Sequence, residues 1–503
     1  METTLVEVLL HLEYTGNKGI TFIEGSEQEH FLSYSSLLLH AKRWLFQLQQ
    51  LGIREGDEVV LQVGDNRLFI ELFWACLLGR IIPVPLQPVR NEETNLKLQN
   101  VWLYLKHPFL ITSSGTCEQL RLFNNEHILP RTILYDHILL TENDGVINLP
   151  SSKDIAFIQF SSGSTGSPKG VVLTHKNLLA NIVSIHHEIM APATGDTFFS
   201  WMPLTHDMGL IGFHLTPLFA GWNHFIMPTE LFVRFPYLWL QKISNHKITF
   251  TASPNFGYKY VLKYFDKHKD ELLDLSSLRV IVNGAEPISY ELCMEFSEKM
   301  SVYNLKANVI FPVYGLAEAS LAVSFSHVSE APKALYVERN SLNYNQKITI
   351  ADKSDNSVAL ASVGKAVKDT FIRIVNSNGD AVAERFIGQI QIRGNNVSSG
   401  YYNNPSATKE LITADGWLNT GDLGVIANGE LYISGRIKDI IFVNGQNYYP
   451  YDIERIAELV EGIELGKIVV AGSNVGTEVV LIFIQYRGRD MEKFNRMADE
   501  CQM

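Results

Sequence analysis

Three consecutive pieces decide how the chain is read: Ile155-Ala156-Phe157-Ile158-Gln159-Phe160, then Ser161-Ser162-Gly163-Ser164-Thr165-Gly166-Ser167-Pro168-Lys169-Gly170, then Val171-Val172-Leu173-Thr174. The outer pieces are short apolar runs of the kind that form buried strands. The middle piece has three glycines, which let a backbone turn tightly and bring its N–H groups against an anion. Its four serines and one threonine add hydroxyl donors, and Lys169 adds a point charge suited to phosphate oxygens. A flexible Gly/Ser linker has a similar composition. Two strands hard against the loop, and the lysine at its end, favour a phosphate site instead. The spacing is not that of the P-loop, because Pro168 separates the second glycine from the lysine. Nor is it the dinucleotide fingerprint, which opens directly into a helix.

Outward from this loop, strands and helices alternate. Tyr34 to Gln50 reads as a capped amphipathic helix, Glu58–Val63 as a strand, Leu68–Leu78 as a helix and Ile81–Val84 as a strand. The apolar stretch Leu68–Leu86 is broken by Glu71, Arg80 and Pro83, so a buried helix running into a strand is expected, not a membrane span. After about residue 360, short strands between Asn-Gly and Gly-Asp turns dominate: Phe371–Val375, Gln389–Arg393 and Glu430–Ser434. Pro450-Tyr451-Asp452-Ile453-Glu454 then opens a new helix with proline and acids in its first turn. The expected fold class is therefore α/β, with a large N-terminal domain of layered α/β sheets over residues 1–435. That domain includes a β-rich subdomain at about 360–435. A hinge at 436–439 and a small α+β C-terminal domain at 440–503 follow, the latter reading as truncated.

The bulk numbers bound the function. A chain of 503 residues is too long for one core, and 46% hydrophobic with 19% charged residues is globular composition. A net charge of -12 speaks against a broad nucleic-acid surface, which needs a basic face. Cys76, Cys117, Cys293 and Cys501 have neither metal nor disulfide spacing, so free thiols in a reducing compartment are expected. Met1-Glu2-Thr3-Thr4-Leu5-Val6-Glu7 lacks the basic start of a secretory signal, and a cytoplasmic location without membrane attachment follows as the expectation.

Further signals stand in order downstream. They are Pro203-Leu204-Thr205-His206-Asp207-Met208-Gly209, Asn283-Gly284-Ala285-Glu286-Pro287, Tyr314-Gly315-Leu316-Ala317-Glu318, Thr420-Gly421-Asp422 and Gly435-Arg436-Ile437-Lys438-Asp439. Tyr314–Glu318 follows the apolar run Val309–Val313, so Glu318 is expected at a strand end, where ligands gather in α/β sheets. Alone, Asp422 or Arg436 would be an ordinary solvated turn residue. Together and in this order, the set closely resembles the adenylate-forming superfamily of acyl-CoA synthetases, peptide-synthetase adenylation domains and luciferases, over nearly the whole chain. His206–Gly212, Ser253-Pro254-Asn255-Phe256-Gly257-Tyr258 and Gly445–Pro450 look like variants of its fatty acyl-AMP ligase branch.

The resemblance implies ATP-dependent activation of a fatty acid to acyl-AMP, with Mg²⁺, and transfer to a phosphopantetheinyl acyl carrier protein. A loading domain of a polyketide or nonribosomal-peptide assembly line is one setting it suggests. It implies that Ser161, Ser162, Gly163, Ser164, Thr165, Gly166 and Lys169 grip the β- and γ-phosphates, and that Glu318 holds Mg²⁺. Tyr314, Gly315 and Gly284-Ala285-Glu286 would flank the adenine, Asp422 would bind the ribose and Arg436 its phosphate side. Lys438 would be the domain pivot. His206 would stand near the reacting carboxylate, and Asp207, Gly209, Ser253, Asn255 and Phe256 would contribute to the acid's site. From Glu318 to Gly364 is 46 positions, longer than expected of CoA-using relatives. The surplus, roughly Val328 to Asp352, is expected to pack on the large domain, hinder rotation about Lys438 and disfavour CoA as acceptor. The superfamily's late catalytic lysine has no counterpart before Met503, so the chain reads as shortened. An amino-acid-activating domain, with Asp207 facing an ammonium group, and an acyl-CoA synthetase are the rival readings. A binding module that has lost catalysis is a third, opposed by the retention of Lys169, Glu318, Asp422 and Arg436.

Overall fold

The computed structural model describes residues 3–501 except 15, 162–167, 190–194, 355, 444–445, 449, 459, 465, 474–478 and 489. Among the described residues the largest sheet has nine strands. At its centre Ile310–Gly315, Val280–Asn283, Phe250–Ala252, Phe198–Ser200, His224–Ile226 and Gly19–Ile23 run parallel. Antiparallel strands close both edges. A second, parallel sheet joins Ile82–Pro85, Glu58–Leu61, Phe109–Thr112 and Thr132–Leu134. Parallel strands are covered on both faces, which is why Val59, Val60 and Leu61 are all buried rather than alternating. Helices Tyr34–Gln50 and Asn66–Leu78 fall where the periodicity puts them, capped by Ser33 and Asp65. The second of these is buried along nearly its whole length, as the run Leu68–Leu86 requires, and among the described residues no helix is long and apolar enough to cross a membrane.

The decisive stretch folds as an antiparallel hairpin of Ile155–Ser161 and Lys169–Thr174, with Ser161 directly opposite Lys169. A third, antiparallel sheet carries Thr370–Val375, Gly388–Gly394, Leu418–Ala427 and Glu430–Arg436. Gly421-Asp422-Leu423 therefore lies within a ten-residue strand, not in a turn, and Asp422 is buried. Gly421 takes φ +82° and the pairing slips between Leu423 and Gly424; this bulge turns the Asp422 side chain inward. The surplus segment packs on this sheet. Its strand Ala334–Glu338 pairs with Ser357–Ala361, and Val337, Leu342 and Ile348 share a core with Ile387, Leu423, Val425 and Tyr432. Ile437 and Ile440, on either side of Lys438, pack against the same core. Beyond the short 3₁₀ turn Ile437–Asp439, helix Pro450–Ala457 and the hairpin Ile468–Ser473/Val479–Ile484 enclose a small core of Ile441, Ala457, Ile468 and Val470.

One buried polar chain braces the wall of the central cleft. The Trp74 indole donates to His214 Nε2 (2.9 Å), so His214 Nδ1 donates to His224 Nε2 (3.0 Å). His224 Nδ1 then donates to the Tyr34 hydroxyl (3.0 Å), which donates to the Trp222 carbonyl (2.5 Å). Every site holds one proton, so both imidazoles are neutral. Burial pushes His214 down to about 3, and His224 well below its ordinary value. A histidine held neutral in the fold but protonated in the unfolded chain makes the fold lose stability as pH falls below about 6.5. Each such group should cost about 1.4 kcal/mol per pH unit until its folded pKa is reached. The urea midpoint should therefore drop markedly between pH 6.5 and pH 4.5, and an unchanged midpoint would contradict this proton assignment.

Candidate active site

A cavity of about 750 Å³, within the range of small-molecule sites, opens at the carboxyl ends of the parallel strands. That is where crossover connections leave room for ligands in open α/β sheets. Val313 and Tyr314 reach it from the end of strand Ile310–Gly315, and Ala285 from the loop after Val280–Asn283. Gly315 is a close-approach glycine, since a Cβ there would stand 2.1 Å from the Leu321 carbonyl oxygen. The chain doubles back at that point and presents Glu318 to the cavity on the 3₁₀ turn Ala317–Ala319. Ala285 takes a left-handed φ of +68°, a strained backbone at the cavity wall.

On one side of the cavity, charged groups converge. The Tyr314 hydroxyl donates to Asp422 Oδ2 (2.6 Å) and Arg436 Nε to Asp422 Oδ1 (2.9 Å). Burial raises the Asp422 carboxyl against the pull of Arg436, and raises the Tyr314 phenol. Nearby, the Tyr401 hydroxyl donates to Glu318 Oε1 (2.7 Å), while the Lys169 ammonium stands 5.0 Å from the centre of the Tyr401 ring. One tyrosine thus spaces a cation and a carboxylate around the same opening. Lys438 and Ile437 close this side. His206, half-exposed, pairs with Asp207 (2.7 Å), whose carboxylate also accepts from the Met208 N–H (2.7 Å) and lifts His206 above its ordinary value. The opposite arm is apolar, lined by Ile185, Ile189, Phe198, Phe213, Phe250 and Phe325.

Of the residues singled out in the sequence, Ser161, Lys169, His206, Asp207, Ala285, Tyr314, Gly315, Glu318, Asp422, Arg436 and Lys438 line this one cavity. Ser162, Gly163, Ser164, Thr165 and Gly166 lie outside the described residues. Gly209, Ser253, Asn255, Phe256, Gly284 and Glu286 are not among its lining residues. Gly209 lets the π-helix Met208–Leu215 start against Pro203, whose carbonyl oxygen would be 2.3 Å from a Cβ. Glu286 accepts the Phe256 N–H (2.9 Å) at the start of helix Asn255–Lys263, and burial raises its carboxyl. Asn255 donates to the Pro287 carbonyl (2.6 Å), and Gly284 leaves room for Val313. Sequence reasoning missed Tyr401, whose only signal is Ser398-Ser399-Gly400-Tyr401-Tyr402. It also missed Lys97, a half-buried lining residue drawn down by burial and close enough to His206 to oppose its protonation. Among the described residues no three His, Cys, Asp or Glu side chains gather as a metal cage. Glu318 on its 3₁₀ turn fits Mg²⁺, which keeps several waters and takes phosphate oxygens alongside one or two carboxylates.

The AMP-binding enzyme family model matches residues 15–402. The chain is 34% identical over 355 residues to the medium-chain-fatty-acid–[acyl-carrier-protein] ligase TtuA of Teredinibacter turnerae, covering 67% of this chain and 55% of that protein. Thus it spans about half that relative's length. The fatty acid AMP ligase structure from Legionella pneumophila superposes with a TM-score of 0.82 at 30% identity, covering 100% of this chain and 89% of that one. The adenylation domain of a keto acid-selecting NRPS module bound to keto acyl adenylate gives 0.84 at 31% identity, covering 99% and 91%. If Tyr401 orients Glu318, Tyr401→Phe removes one charge-assisted hydrogen bond of about 1.5–3 kcal/mol. Adenylate formation should then fall about tenfold to a hundredfold, with an unchanged fold by circular dichroism. A rate within twofold of wild type would detach Tyr401 from the chemistry.

Proposed function

The chain belongs to the AMP-binding enzyme family of adenylate-forming ligases that use ATP, and from that premise we propose that it activates a fatty acid as acyl-AMP for transfer to a phosphopantetheinyl carrier protein. One observation carries this reading: a single cavity joins a charged arm at Lys169, Glu318, Asp422 and Arg436 to an arm walled by aliphatic and phenylalanine side chains. An ATP–carboxylate pair needs both halves, with the reacting atoms meeting where they join. His206 stands among the lining residues there, beside Asp207. The amino-acid reading would need Asp207 to face an ammonium group, whereas its Oδ1 pairs with His206 and the Met208 N–H, and the arm beyond is walled by aliphatic and phenylalanine side chains.

In this reading the acid's carboxylate oxygen attacks the α-phosphorus of ATP. The new C–O–P linkage forms as the bond to pyrophosphate breaks, and the leaving group carries away the charge. Catalysis is then mainly positioning and electrostatics. Lys169, opposite Ser161 at the neck of the loop, would hold the leaving phosphates. Buried Asp422 would accept a ribose hydroxyl with its remaining lone pairs. Arg436 would lie along the phosphate side, and Tyr314 and Ala285 would border the base. Glu318 would hold Mg²⁺, which when bound neutralises phosphate charge. His206, kept protonated more readily by Asp207, would attract the carboxylate and orient it.

The acceptor reading rests on the surplus segment, against whose core Ile437 and Ile440 pack beside the proposed pivot Lys438. Rotation there must disturb that core. A CoA-accepting arrangement reduced to about 1% of molecules would weaken apparent CoA affinity about a hundredfold. Supplied with ATP and a fatty acid, the protein should load a phosphopantetheinyl carrier at least tenfold faster than it forms acyl-CoA. Comparable CoA thioester formation would make the segment a mere loop and the protein an acyl-CoA synthetase. A second test is Asp422→Ala: losing charge-assisted bonds of about 1.5–3 kcal/mol should raise the Kd for ATP by about tenfold or more. Unchanged ATP binding would remove Asp422 from the nucleotide site.

A further inference from the structure

The strand register measures the apolar arm of the cavity. Phe198 and Phe250 open neighbouring parallel strands, are register partners, and stack their rings 4.4 Å apart. Phe250 is opposite Val280, and Ile281 is opposite Ile310, so the Phe198–Phe250 rung is level with Val309. Tyr314, at the charged end of the same cavity, is five residues further along that strand. At about 3.3 Å per residue the arm is about 16 Å long. The last turn of helix His175–Ile189 covers it, with Ile185 and Ile189 in the lining. Arg279, just before Val280, bonds the Ile189 carbonyl (3.3 Å) and ties that helix end to the amino edge of the sheet. Both routes therefore put Phe198, Phe250 and Ile189 together at the far end of the arm, away from every charged residue of the lining.

We infer that this cavity takes a straight-chain carboxylic acid of about eight to twelve carbons, with Phe198 and Phe250 as its floor. The inference rests on the fatty-acid reading of the site and adds a length to it. A staggered chain of C–C bonds of about 1.5 Å advances about 1.3 Å per carbon, so about 16 Å holds about twelve carbons. Part of that length belongs to the carboxyl end and its neighbours at the Tyr314 level, which sets the lower figure. Each methylene entering the arm leaves water and tightens binding about fourfold. A methylene beyond the floor must displace the stacked phenylalanines from a close-packed wall, and loses that gain.

The test is the Kd of even-numbered acids from four to eighteen carbons, measured on the full chain with a non-hydrolysable ATP analogue present. Affinity should rise about fourfold per methylene to ten or twelve carbons, then level or fall. Phe250→Leu and Ile189→Ala both deepen the far end of the arm and should move the optimum up by about two carbons. Ile189→Ala serves if Phe250→Leu folds poorly in a thermal melt. An optimum at sixteen or eighteen carbons, or one that neither variant moves, overturns the floor. Acyl-AMP formation by the best-binding acid tests the underlying reading separately. Tight, length-selective binding without adenylate overturns that reading and leaves the floor standing; binding of no acid overturns both.

Discussion

The buried carboxylate of Asp422 is the point on which the arrangement turns. It takes the Tyr314 hydroxyl from the end of a central parallel strand and Arg436 Nε from the last strand of the antiparallel sheet. Two sheets that share no strand are thereby held at one distance across the cavity. A buried carboxylate stays only when its oxygens are satisfied, so shifting either sheet would strand a costly charge. The same contact sets where Arg436 lies, and hence where the short turn Ile437–Asp439 leaves the sheet. Ile437 and Ile440 then fall against the core that residues 334–361 share with the antiparallel sheet.

Much of the fold was legible because burial on both faces leaves a strong mark. The apolar run Val59–Leu61 within the expected strand Glu58–Val63, and the apolar run Val309–Val313, both became parallel strands, Glu58–Leu61 and Ile310–Gly315. Capping and turn residues placed Tyr34–Gln50 and the helix opened by Pro450. What could not be read was sheet partnership: nothing local says that residues 334–361 would lie on the antiparallel sheet beside Ile437 and Ile440. Nor could the bulge after Gly421 be foreseen, because a glycine beside an aspartate reads first as an exposed turn.

The site divides in the same way. Lys169, Tyr314 and Glu318 were singled out by glycine-marked motifs and by the family resemblance those motifs carry, and all three line the cavity. Tyr401 was not, since its role lies in reaching Glu318 and Lys169, 83 positions away in the first case. Lys97 sits in an ordinary polar helix turn and gains meaning only by facing the cavity. Conversely, Ser253, Asn255, Phe256 and Glu286 are not among the residues that line the cavity. Glu286 fixes a helix start and Phe256 packs edge-on to Trp201. From sequence alone, a residue that lines a cavity looks the same as one that does not.

The central claim is that a carboxylate oxygen becomes bonded to the α-phosphorus of ATP in this cavity. Isotope transfer reads that bond directly. The protein is incubated with ATP, a fatty acid labelled with ¹⁸O in both carboxylate oxygens, and hydroxylamine as a general acyl acceptor, and the AMP is weighed by mass spectrometry. Attack at the α-phosphorus followed by acyl transfer leaves one ¹⁸O in each AMP formed and an equal amount of acyl hydroxamate. Unlabelled AMP, or ADP with phosphate in its place, would contradict the account.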